Sequence, residues 1–128
     1  MIEKKSPSFL PAFAWFVICT ALLILPGSAF PKENWLEKIY ADKLIHIFLF
    51  AVLAALWCRV MLKRFTNASK LKTIFLRTGI LCLAYGVAME FVQKYWIPNR
   101  SFDAGDIVAD GAGVFFGVIF SIRRYIKK

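Results

Sequence analysis

No two cysteines in this chain are spaced as C-x-x-C, the single histidine has no zinc partner at finger spacing, and acids are scarce. The first two absences exclude a disulfide framework and a zinc motif. Cys19, Cys58 and Cys82 all lie inside apolar runs, so they read as small hydrophobic core residues. The scarcity of acid leaves a net charge of +9, with 17 Lys and Arg against 8 Asp and Glu. Nucleic-acid binding would need those bases gathered on one face. They fall instead in short segments and tails beside hydrophobic runs, which makes their distribution a report of topology.

Apolar residues are what the chain has in excess. Over 128 residues it is 59% hydrophobic, with 13 Phe and 4 Trp, well above the usual apolar share of a globular protein. The composition describes an all-α integral membrane protein made of one domain, residues 1–128. A membrane helix needs about 20 apolar residues, and four runs approach that length, at about 9–25, 44–62, 74–95 and 106–122.

The first run has two readings. A basic start, an apolar core and Gly27-Ser28-Ala29 fit a cleaved signal peptide. Its length and aromatic content favour a retained helix, which Pro26 and Pro31 would end at the interface. Residues 30–43 form a mixed-charge loop in which Trp35 and Tyr40 suit the headgroup region. The second run follows, with Asp42 and His46 spaced i, i+4 and so on one face of a helix that begins at Asp42. The segment Arg59–Arg77 reads as a short basic loop with no acid in it. In the third run Glu90 and Gln93 lie near the far end, and Tyr95 and Trp96 form an interfacial belt before Pro98.

Charge decides orientation. The N-terminus, the Arg59–Arg77 segment and the C-terminal tail hold 12 of the 17 Lys and Arg, so both termini are expected in the cytoplasm. Seven of the eight acids, all except Glu3, then belong to the extracytoplasmic half, and His46 joins them. At about 1.5 Å rise per residue, Asp110 lies roughly 6 Å deeper than Asp106 on one face of the fourth helix. The ends of helices two, three and four should therefore line a shallow, outward-open polar pocket. Small residues at Gly105, Ala109, Gly113 and Gly117 let a neighbouring helix approach closely, and would hold Asp106 and Asp110 beside that seam. Lys43 reads as a snorkelling interfacial residue, and Asp103 as the cap of the fourth helix.

Asp42-Lys43-x-x-His46, Glu90-x-x-Gln93 and Arg100-x-x-Asp103-x-x-Asp106, followed by Gly113 and Gly117, resemble the signature of the VanZ-like membrane proteins. The resemblance covers helices two to four, while the first helix is uninformative. It departs at Asp110, where the family pattern more often has Asn. What the resemblance implies is a small multi-pass protein of the bacterial cytoplasmic membrane, associated with low-level resistance to the glycopeptide teicoplanin.

The residues themselves carry several chemistries. A binding protein would capture a membrane lipid or lipid-linked envelope precursor through Asp42, Lys43, Gln93, Arg100, Asp103 and Asp110, with Arg100 clamping phosphate or carboxylate. An enzyme acting on such a headgroup would use His46 as general acid or base, oriented by Asp42 or Glu90, with Asp106 as a third catalytic group. A divalent cation could sit among Asp42, His46, Glu90, Asp106 and Asp110, an oxygen-rich set with one imidazole that suits Mg2+, Mn2+ or Ca2+ better than structural zinc. No motif demands an organic cofactor. A proton-coupled transporter is disfavoured, because four short helices leave little room for alternating access without a homo-oligomer.

Overall fold

In a computed structural model, the chain folds into four α-helices: α1 (Leu10–Leu23), α2 (Trp35–Met61), α3 (Ala68–Trp96) and α4 (Ala104–Tyr125). The structure describes residues 9–24, 35–62, 68–97 and 104–126, and for 35–42 and 68–69 the backbone alone. No strand occurs among the described residues.

Three helical stretches are long and apolar enough to cross a membrane: Lys43–Met61 with 19 residues, Lys70–Trp96 with 27 and Ala104–Tyr125 with 22. At about 1.5 Å per residue the shortest is about 28 Å long, close to the hydrocarbon thickness of a bilayer. The surface agrees with that solvent. Leu44, Phe48, Leu81, Val108, Phe115 and Phe120 are exposed, whereas His46, Glu90, Asp106 and Asp110 are buried. Such a distribution inverts the ordinary water-soluble pattern.

The helices depart from the sequence expectations at their ends. Residues from Trp35 onward were expected in a loop, but they form the first turns of α2, continuous with the apolar stretch. Likewise the Arg59–Arg77 segment is largely helical: Arg59 belongs to the last turn of α2, and Lys70, Lys72 and Arg77 lie within α3. The basic residues there neither break the hydrogen-bonded ladder nor need burial, since Arg59, Lys70, Lys72 and Arg77 are all exposed. The first apolar run yields only 14 helical residues, Leu10–Leu23. That is about 21 Å, short of the roughly 30 Å hydrocarbon core. A proline in its first turn suits the start of α1, where a backbone N–H has no intrahelical partner.

Close packing of α2 against α4 sets the architecture. A Cβ on Gly113 would collide with the backbone carbonyl of Ile47, and one on Gly117 with that of Ala51. Only the missing side chains let the two backbones approach this closely. On the neighbouring seam, Gly79 of α3 receives Val114 and Val118 of α4. Below the polar level the core is built from Phe50, Leu53 and Phe75, with Cys19, Cys58 and Cys82 buried as free thiols. The short α1 is tied on by side-chain bonds. Trp15 Nε1 donates to the Leu49 carbonyl at 2.9 Å, and the Thr20 and Tyr85 hydroxyls meet at 2.6 Å.

Candidate functional site

The third and fourth turns of α2, the last turns of α3 and the start of α4 lie at one level of the bundle, and each brings polar side chains there. On α2, Lys43 and His46 are three residues apart and so neighbours on one face; on α4, Asp106 and Asp110 stand in an i, i+4 relation. His46 Nδ1 lies 2.6 Å from Asp110 Oδ1, and His46 Nε2 lies 3.7 Å from Asp106 Oδ2. The other oxygen of Asp106, Oδ1, accepts a bond from Lys43 Nζ at 2.5 Å. From α3, Glu90 completes the group: one ligand atom each from His46, Glu90 and Asp106 lies within 4.8 Å of the others.

Burial is nearly complete. His46, Glu90, Asp106 and Asp110 are each at most 4% exposed, so the groups expected to line an open pocket are enclosed between helices. Buried ionised groups persist only when they are paired and hydrogen-bonded. Here the histidine and lysine of α2 pair with the two aspartates of α4. Where Asp110 is ionised its carboxylate can only accept, so in that state Nδ1 carries the donated proton.

Two further contacts shape the site. Gly86 of α3 leaves room for Asp110, since a Cβ there would come 2.7 Å from Asp110 Oδ2. Gln93 is fully buried, and its Nε2 donates to the Leu23 carbonyl at 2.8 Å, joining the end of α3 to the end of α1. Its Oε1 is buried with no hydrogen-bond partner among the described residues.

Of the residues singled out from the sequence, the structure brings together Lys43, His46, Glu90, Asp106 and Asp110. Gln93 is one turn beyond Glu90 and bonds to α1. The backbone of Asp42 is helical as expected, while its side chain, and all of Arg100 and Asp103, lie outside the described residues. Two expectations change. His46 Nδ1 meets Asp110, a partner not assigned to it from the sequence, because an aspartate one turn inside α4 reaches α2 across a glycine seam. Lys43, expected to snorkel, pairs instead with Asp106. The role of Gly86 was missed. Its signal was its place one turn before Glu90 and seven residues after Gly79, on the face that meets α4.

Chemically, the cluster sets three carboxyl groups beside one ammonium and one imidazole among the described residues. A His–Asp pair of this geometry can hold a proton at a defined nitrogen, and the convergent donors of His46, Glu90 and Asp106 can share one cationic partner. Compared with known proteins, the chain matches no family model, no curated protein and no solved structure.

Proposed function

We propose that this chain is a VanZ-like membrane protein that binds a lipid or envelope-precursor headgroup at the cluster of Lys43, His46, Glu90, Asp106 and Asp110. The observation carrying this reading is the meeting of ionisable side chains from α2, α3 and α4 at one end of an otherwise apolar bundle. Intramembrane charges are costly, and their usual return is a function. Both termini lie in the cytoplasm, which requires the 14-residue α1 to cross as a fourth, short span, and the cluster faces the outer side of a bacterial cytoplasmic membrane. The charge distribution supports that orientation.

Lys43 is the most accessible member of its ion pair, its side chain 23% exposed against 6% for Asp106. The headgroup therefore enters on the Lys43 side and exchanges with the lysine as partner of Asp106. Lys43, together with Arg100 by sequence, receives the anionic part of the headgroup. Carboxylates accept hydrogen bonds, so they favour a headgroup that also carries donors, such as hydroxyl or amine groups.

A second reading is supported by the His46–Asp110 contact. A histidine whose Nδ1 is held by a buried carboxylate has the arrangement of a general base. An enzyme acting on the same headgroup would move a proton at His46 Nε2.

The VanZ-like resemblance supplies the phenotype to test. The wild-type chain, expressed in a teicoplanin-susceptible bacterium, should raise the inhibitory concentration of teicoplanin, and His46→Ala and Glu90→Gln should abolish that rise at equal membrane abundance. Full protection by both variants would exclude the cluster from function.

A further inference from the structure

We infer that His46, Glu90 and Asp106 form a site for one divalent transition-metal cation, with Asp110 orienting the histidine ligand. Three elements each contribute one donor: His46 from α2, Glu90 from α3 and Asp106 from α4, and the three ligand atoms lie within 4.8 Å of one another. Bonds of about 2.0–2.2 Å put donors on one ion roughly 3.4 Å apart in a tetrahedron and a little over 4 Å apart when opposite. The 3.7 Å between His46 Nε2 and Asp106 Oδ2 falls in that range, and exceeds a good hydrogen bond.

The second observation is independent of the acids that would ligate. Histidine ligands characteristically give their other ring nitrogen to a carboxylate, which fixes the tautomer and aims the ligating lone pair. Asp110 Oδ1 stands 2.6 Å from His46 Nδ1, and Asp110 is itself seated over Gly86. Nε2 is thereby directed at Asp106 Oδ2, while Lys43 Nζ bonds Oδ1 of the same carboxylate.

The donor set selects the ion class. One imidazole and two carboxylates lack the thiolates of a structural zinc site, and this three-residue set, one nitrogen to two oxygens, suits Mg2+ and Ca2+ less well than the five-residue set expected from the sequence. Mn2+ accepts mixed nitrogen and oxygen donors. Three protein ligands leave open positions, where water or a phosphate oxygen completes the shell. This site does not depend on the headgroup reading, because its ligands are protein side chains alone.

The test is Mn2+ titration of detergent-purified, chelator-stripped protein, followed by electron paramagnetic resonance. One Mn2+ per chain should bind, with hyperfine coupling to an imidazole nitrogen that is lost in His46→Gln. Glu90→Gln should weaken binding at least tenfold, and Asp110→Asn by about 10–100-fold, the usual effect of removing such a supporting carboxylate. Lys43→Met should tighten binding, since it removes a neighbouring positive charge. Circular dichroism and size-exclusion profiles establish that each variant is folded. Should His46→Gln not fold, the nitrogen coupling of the wild type and the Glu90→Gln titration decide. No stoichiometric binding by folded wild type, coupling without nitrogen, or unaltered binding in Glu90→Gln would overturn the site. Ion binding without any retained headgroup would refute the headgroup reading alone, and the reverse outcome would refute the ion alone.

Discussion

His46 of α2 and Asp110 of α4 meet through Nδ1 and Oδ1 at 2.6 Å, and both residues are at most 2% exposed. The contact joins the two most closely packed helices at the level where α3 delivers Glu90. It exists because the next turns of α4 are glycine. Gly113 and Gly117 bring the α2 and α4 backbones together, and at that spacing two short side chains can touch.

Replacing Asp110 should separate charge from shape. Asp110→Ala leaves His46 without its partner and should cost about 3–5 kcal/mol, the range for breaking a buried pair. Asp110→Asn keeps an acceptor oxygen for the Nδ1–H and should retain most of that stability. Thermal unfolding in detergent, followed by circular dichroism, measures both. Equal losses would mean that the charge, rather than the hydrogen bond, holds the helices.

The glycine seam yields a positional contrast within one helix. Gly113→Val must push against the Ile47 carbonyl and the Ala51 amide, so it should destabilise by at least about 1–3 kcal/mol. By contrast, a Cβ at Gly111 meets only Leu83 Cδ1 at 3.7 Å, an ordinary contact. Gly111→Ala should therefore be neutral or slightly stabilising. Folded yield and melting temperature distinguish the two, and equal tolerance would contradict the close approach of α2 and α4.

Gln93 carries one made bond and one unmade one. Its Nε2 holds the Leu23 carbonyl, while Oε1 is buried without a partner among the described residues. Gln93→Leu relieves the buried Oε1 but leaves the Leu23 carbonyl without its donor, so the two partly offset and the net cost should stay within about 1–3 kcal/mol. Gln93→Glu has no such balance. Its ionised form would face a carbonyl with an acceptor, and α1 should detach first, seen as faster thiol labelling of a Leu23→Cys variant than in the Gln93 parent. Unchanged labelling would remove Gln93 as the tether of α1.

Orientation can be read by labelling, since Cys19, Cys58 and Cys82 are all buried and give little background. Ser101→Cys should react with a membrane-impermeant thiol reagent added outside intact cells. Lys128→Cys should react only after permeabilisation. The opposite pattern would invert the topology and place the polar cluster on the cytoplasmic side.

How far the sequence carried this reading differs from residue to residue. The apolar runs located α2, α3 and α4, because a span's length and hydrophobicity are local properties. Helix ends were less legible: Trp35, Lys70 and Lys72 are polar or interfacial residues that look like loop, yet a helix continues through them when its backbone bonds are already in place. The convergence of His46, Glu90, Asp106 and Asp110 followed from topology alone. Their pairing did not, because whether His46 meets Asp42, Glu90 or Asp110 depends on helix rotation and separation. Those are set by Gly86, Gly113 and Gly117, whose effect appears only when two helices are packed. The enclosure of the cluster has the same origin, since α2 and α4 approach too closely to leave an open cleft.

The central claim is that the cluster binds a ligand, and native mass spectrometry of gently solubilised protein tests it most directly. Wild type should carry a headgroup-bearing adduct that Glu90→Gln and His46→Ala both lose while remaining folded. An adduct-free wild-type mass, identical in its ligand state to both variants, would contradict the account and leave these buried charges as the bonds that hold three helices together.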